Sequence, residues 1–292
     1  MKTGCSVFLA AFFALGASWL GFVYGSIHQL GGAKQTVVLQ SGENWPQQPT
    51  GEATLGLQVY RANGCAACHT EQVRQTGVAD ELSLINLGTN SATGFKELVK
   101  TSMVAPELLN VSNAIVGNLD QWDGQVPAKI YSGQDSAAVA SLGDKLKAAG
   151  VKADARVVPA GSDIWRGWGM RQSVAADYLY DAPVQLGSLR AGPDLSMIGV
   201  RAPDLNWQLQ HLYAPTSLVK DSTMPPFRFL FEVRKIGAQP SSDALVLPKE
   251  FAPADGMEVV PTTEARELAA YLTSLKANQP LYEAPFTPVA AK

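Results

Sequence analysis

The sequence predicts a mainly α fold: one N-terminal transmembrane helix, then a helical domain interrupted by a long insertion of α/β character. Three observations predict it. An uncharged apolar run opens the chain, the motif Cys65-Ala66-Ala67-Cys68-His69 follows, and amphipathic helical patterns lie before that motif and near the C-terminus. The composition suits a globular protein with one apolar appendage, at 46% hydrophobic and 17% charged residues. A net charge of −3 gives no basic excess, so no nucleic-acid partner is expected. The length of 292 residues allows one large or two small domains.

From Thr3 to Ala33 no residue carries a formal charge. The strongly apolar part, Val7 to Ile27, would be about 31 Å long as a helix, which matches a hydrocarbon thickness of roughly 30 Å. A cleaved signal peptide has a shorter apolar core, about 7–15 residues, so a retained anchor over residues 4–28 is expected. Ala17, Gly21 and Gly25 recur at every fourth position and suggest a face for a partner helix. His28, near the outer boundary, reads as structural or interfacial. Cys5 starts the apolar run rather than following one, so it reads as a buried free thiol and not as a lipoprotein cysteine. Residues 29–53 read as a linker with Gly31, Gly32, Pro46 and Pro49, in which Trp45 is expected to rest on the membrane surface or a partner.

A short helix with Leu55, Val59 and Tyr60 on one side leads into the motif. Cys-x-x-Cys-His is the attachment signature of c-type haem. Cys65 and Cys68 lie about one helical turn apart, so both sulfurs reach one edge of a flat porphyrin. His69 then offers its imidazole to the iron as proximal ligand. A bare Cys-x-x-Cys would leave zinc or thiol redox chemistry open. Two of only three cysteines stand at this spacing with His directly after, and no second such motif occurs. One covalent haem c is expected.

Gly192-Pro193-Asp194-Leu195 looks like the loop that follows the proximal histidine in cytochromes c, where the proline carbonyl accepts from the other imidazole nitrogen. Pro203 to Tyr213 reads as a helix with Leu205, Leu209 and Leu212 apolar, and Thr262 to Leu275 as an amphipathic helix capped by Thr262 or Thr263. For the sixth iron ligand, Met224 in a proline-stiffened loop is preferred over His211, Met197 and Met170. Among several arginines near the site, Arg190 is the first choice for a haem propionate, and Trp207 is a candidate to shield the ring edge. The haem domain is thus assigned to residues 54–77 and 161–277, with a tail over 278–292.

The stretches 60–74, 161–201 and 211–232 resemble subunit II of cbb3-type cytochrome c oxidases. Ser18-Trp19-Leu20-Gly21 and Gln29-Leu30-Gly31 in the anchor are similar too. The resemblance implies a membrane-anchored monohaem cytochrome c with His/Met ligation. It would take electrons from a c-type cytochrome donor and pass them to the haem-copper catalytic subunit, within a complex of further oxidase subunits. It would not reduce oxygen on its own. By the match, Cys65, Cys68, His69 and Met224 take the haem roles and Pro193 supports His69. Haem c is attached on the outer face of bacterial membranes, so a single-pass protein of the inner membrane with a periplasmic haem domain is expected. Residues 78–160 have no counterpart in the resemblance and contain neither His nor Cys. Ala137 to Gly150 reads as a helix stopped by Gly150, flanked by short strands at 126–131 and 156–158. Alternative readings are an anchored electron shuttle, the cytochrome c subunit of nitric oxide reductase, and a gas-binding haem sensor. The last is disfavoured because Met224 would close the iron.

Overall fold

The computed structural model describes residues 2–98, 123–134 and 136–285. Helix α1 (Lys2–Trp19) continues through a π-helical turn (Leu20–Tyr24) into α2 (Gly25–Gly31). The span Gly4–Gln29 is long and apolar enough to cross a membrane, and none of it is buried against the rest of the chain. It is compatible with a single-pass anchor. Cys5 is exposed, contrary to expectation, because nothing packs on this helix. In the π turn, Trp19 and Tyr24 stack with ring centroids 6.5 Å apart, as i→i+5 winding allows. The same winding offsets Gly25 from the line through Ala17 and Gly21. His28 lies against Tyr24, with ring centroids 6.2 Å apart.

The expected linker is largely folded. Strand β1 (Thr36–Val37) pairs antiparallel with β2 (Asn44–Trp45). Val38 is buried, and the Leu39 amide donates to the Pro280 carbonyl at 3.0 Å. Trp45 is tied to the body of the protein: its Nε1–H donates to Asp177 Oδ1 at 2.7 Å. That carboxylate is held in place by a buried Arg171–Asp177 ion pair of 2.7 Å. Only residues 32–35 lie between the anchor helix and this hairpin. Helix α3 (Glu52–Ala62) follows.

Among its described residues the insertion forms a three-stranded sheet with two helices. Its described elements are β3 (Gly77–Asn86), α4 (Ala92–Leu98), β4 (Ala128–Gly133), α5 (Ser136–Ala148) and β5 (Lys152–Ala160). The order is β4-β3-β5, with both neighbours antiparallel to β3, so α5 crosses between two edge strands over the central one. Gly77 pairs with Ala160, so this segment leaves and rejoins the rest of the chain at one place. Helix α5 and its Gly150 stop, at φ 73°, match expectation, whereas β3 was not anticipated. Leu82 and Leu84 face α5 and pack with Phe95, Ile130, Leu142 and Leu146. Glu81 on the opposite face is covered by Lys129 at 2.7 Å and Arg156 at 2.9 Å.

The chain then forms α6 (Ser162–Trp165), α7 (Ile198–Arg201) and α8 (Leu205–Tyr213) among long loops. It ends in the hairpin β6 (Phe231–Lys235)–β7 (Met257–Pro261) and α9 (Thr263–Ser274). Asp204 caps α8 by accepting from the Asn206 amide at 3.0 Å, and Thr262 caps α9 by accepting from Ala265 at 3.3 Å. Helices α3 and α9 cross closely at Gly56, where a Cβ would come 1.9 Å from the Glu267 carbonyl oxygen. The ring of Tyr60 meets that of Tyr271 at 5.3 Å. Val59, Leu195, Leu209, Leu212, Leu268 and Leu272 fill the core beneath. Leu55 and Leu205, expected on apolar faces, are exposed, because the crossing at Gly56 turns Leu55 outward and Leu205 begins its helix. The helix content is 39% and the strand content 14%, so mainly α overstates it: the insertion and the two hairpins bring in sheet. Met103 lies outside the described residues.

Candidate haem site

After α3, Gly64 in the left-handed region (φ 66°) turns the chain into a 3-10 turn over Cys65–Ala67. The amides of Cys68 and His69 donate to the Cys65 carbonyl at 3.1 and 3.0 Å, which keeps motif residues on one short turn. Cys65 is half-buried, Cys68 is exposed, and both thiols are free. Burial pushes the Cys65 thiol up to about 11.

The segment 185–195 runs beside the motif and is bonded to it repeatedly. The amides of Ser188, Leu189 and Gly192 donate to the carbonyls of Ala66, Ala67 and Cys68 at 3.0, 3.0 and 2.9 Å. Two glycines make the approach possible. A Cβ on Gly187 would lie 2.2 Å from the His69 carbonyl oxygen, and one on Gly192 would lie 2.3 Å from His69 Cε1. At the end of this ladder His69 Nδ1–H donates to the Pro193 carbonyl at 2.8 Å. The other ring nitrogen, Nε2, is thereby left as the lone-pair nitrogen. Burial lowers the His69 pKa, so the imidazole is neutral at pH 7. Asp194 locks the loop from behind, its two carboxylate oxygens accepting from the amides of Gln72 at 2.8 Å and Ser196 at 2.9 Å.

Met224 is half-buried on the same core cluster that carries Cys65 and Phe227. Its amide donates to Ser222 Oγ at 3.3 Å, and the Phe227 amide ties the loop to the Leu212 carbonyl at 2.8 Å. Among the rivals, Met197 is buried in the core at the start of α7. His211 stacks on Trp207 with centroids 4.9 Å apart, and its buried Nδ1 has no partner. Burial brings its pKa down to about 4. Trp207 thus sits against His211. Arg190, at φ 50°, directs Nη2 to Asp163, which also accepts from the Arg74 amide at 2.8 Å.

Sequence reasoning missed Glu71. Its carboxylate is buried and accepts from the Tyr271 hydroxyl at 2.8 and 2.9 Å, while Tyr178 donates to its carbonyl at 3.0 Å. Burial pushes it up to about 8. A charged residue two positions after the motif histidine carries no sign of burial in the sequence.

A neutral, backbone-oriented imidazole, a paired-cysteine turn beside it and glycines that let the 185–195 loop lie against the histidine suit a haem. Residues 157–276 match the family model described as cytochrome c oxidase, mono-heme subunit/FixO. The resemblance to subunit II of cbb3-type cytochrome c oxidases is borne out over that stretch, and the family it matches is a mono-haem cytochrome c subunit of such oxidases. The match takes in Arg190, Pro193 and Met224, while Cys65, Cys68 and His69 precede it. No curated protein matches the chain.

Proposed function

We propose that the chain is the electron-transfer subunit of a cbb3-type terminal oxidase, carrying electrons from a c-type donor to the oxygen-reducing haem-copper subunit. One haem c, attached through Cys65 and Cys68, supplies the one-electron chemistry when bound. His69 and Met224 would hold its iron. The observation that carries the reading is the His69 Nδ1–H bond to the Pro193 carbonyl within a Cys-x-x-Cys-His turn. That bond fixes the tautomer, aims Nε2 away from the backbone, and makes the nitrogen a better donor. Burial keeps this imidazole neutral and available. A thioether at the sixth position favours iron(II) and suits a carrier. The helix Gly4–Gln29 anchors the protein in the bacterial inner membrane, with the haem domain on the periplasmic side.

The test has three parts. Pyridine haemochrome analysis should find about one covalent haem c per chain, and haem extractable by acidic acetone would sink the assignment. The oxidised protein should show the weak thioether–iron(III) charge-transfer band, lost in Met224→Ala and kept in His211→Ala; the reverse pattern would overturn Met224 as ligand. Affinity purification of the anchored protein should bring down a multi-span haem-copper subunit. Isolation with a nitric oxide reductase, or alone, would move the protein to one of the alternative readings.

A further inference from the structure

The hairpin that follows the N-terminal helix shows an apolar side to solvent. Val37 and Leu39 are 54% and 56% exposed, while Val38 between them is buried. The Leu39 amide donates to the Pro280 carbonyl at 3.0 Å, which brings the segment after α9 alongside the hairpin. Two residues beyond that bond Tyr282 is 84% exposed, although its neighbour Leu281 is fully buried. Two aliphatic side chains and one tyrosine, from opposite ends of the chain, are thus presented in one neighbourhood. Tyrosine, with an apolar ring and a polar tip, is enriched where membranes meet water.

Chain length limits what can cover this patch. Helix α2 ends at Gly31 and β1 begins at Thr36. The steps between them span at most about 18 Å when fully extended, and the polar layer of a bilayer is itself about 5–8 Å deep on each side. The hairpin therefore stays beside any membrane that the helix crosses. It is also fixed to the body of the protein. Trp45 bonds to Asp177, and Arg171 pairs with Asp177 while its Nε–H donates to the Gln279 carbonyl. One buried arginine thus ties down both segments that carry the patch. The flanking charges, Lys34, Glu43 and Glu283, are exposed and hold no basic excess, so attraction to lipid would be apolar and not electrostatic.

We propose that Val37, Leu39 and Tyr282 form a seat that dips into the surface of the bilayer the chain spans, and so hold the body of the protein at a fixed height and tilt. The inference rests on the reading of Gly4–Gln29 as a membrane span. The test uses the full chain in phosphatidylcholine vesicles that carry a photoactivatable group near the acyl carbonyls, with adducts mapped by mass spectrometry. Adducts absent from residues 4–29, with release of the protein in an alkaline wash, would overturn the span and this inference together. With the span marked, residues 36–40 and 280–283 should be marked too. The region of Val246, which is 90% exposed in the β6–β7 loop, is the internal control and should stay clear. Adducts in the span alone, or as many at Val246 as at the seat, would overturn the seat alone. Leu39→Asp and Tyr282→Ser should each lower the yield at the seat about tenfold, the scale of withdrawing one large side chain. Both side chains are exposed, so the fold should survive either change, and the span adducts should not alter. A seat yield unmoved in both variants would overturn the proposal. Adding phosphatidylglycerol should leave the yield unchanged; a strict need for anionic lipid would overturn the apolar seat. Seat residues open to a water-soluble footprinting reagent in vesicles, and shielded only in an assembled complex, would give the patch to a partner protein instead.

Discussion

The haem side and the insertion each bury a hydrophobic cluster, and they do so on different plans. In the insertion, residues 82–151 supply a cluster of Leu, Ile, Val and Phe between one sheet face and its helices. Its buried ion, Glu81, stays on the opposite face under Lys129 and Arg156. On the haem side the cluster joins residues as distant as Val59 and Leu272, and that part of the chain also buries polar groups: Glu71, Asp163, Arg171 and Asp194. The insertion's core needs only contacts made within its own span. The haem side needs its first and last helices together before the 185–195 loop can be pinned to the motif. The chemistry lies where the backbone is irregular and held by specific hydrogen bonds, which is also where a single change does most damage.

The largest expected effect follows from the α3–α9 crossing. Gly56→Val would drive a side chain into the Glu267 backbone, where a Cβ alone would be 1.9 Å from oxygen. Overpacking costs about 1–3 kcal/mol and more where backbone must move, so holo-protein yield should collapse. A normal yield and haem spectrum would show that the helices do not cross there. Next, Leu268→Ala and Leu82→Ala each remove a fully buried side chain, one from each core. Each should cost about 2–5 kcal/mol. The first should destabilise the haem spectrum in denaturant titrations, and the second should leave it in place while the insertion becomes protease-sensitive. Coincident loss of both signals in both variants would mean one cooperative unit.

Acidity should separate the two regions by sign. The Glu71 carboxyl is raised by burial to about 8, so the folded haem side binds its proton more tightly than the unfolded chain. That contribution is present below the ordinary glutamate value and is lost as pH rises toward 8, at about 1.4 kcal/mol per unit. Burial alone would raise Glu81, but Lys129 and Arg156 outweigh it and hold it below its ordinary value. Its contribution is present above that value and is lost on acidification. Denaturation midpoints followed by haem absorbance should therefore rise from pH 7.5 to 5, while the insertion, followed by proteolysis, should weaken below about pH 4.5. Glu71→Gln should flatten the first dependence; an unchanged slope would remove Glu71 as its source. The smallest effect belongs to Trp45→Phe, which deletes the bond to Asp177 at a cost of about 1 kcal/mol. Residues 36–46 should become the first site of limited proteolysis, with the haem spectrum unchanged.

Local pattern was enough for the N-terminal apolar helix, the Cys-x-x-Cys-His turn, α5, α8 and α9. Each depends on charge-free length, motif spacing or a 3.6-residue period with its cap, all of which are properties of neighbouring residues. Pro193 was legible because the proline loop itself is a short motif. Strand β3 was not, since its run Glu81-Leu82-Ser83-Leu84 becomes a central strand only when β4 and β5 arrive on both edges. Trp45 could not be placed for the same reason: its partner Asp177 is positioned by Arg171, far along the chain. The pairing of Arg190 with Asp163 depends on which residues share one small volume. Short-range periodicity determines which segments can be helices and where a cofactor can be attached. Which charges are matched around that site is decided only in the packed structure, because pairing depends on distance in space and not on pattern along the chain.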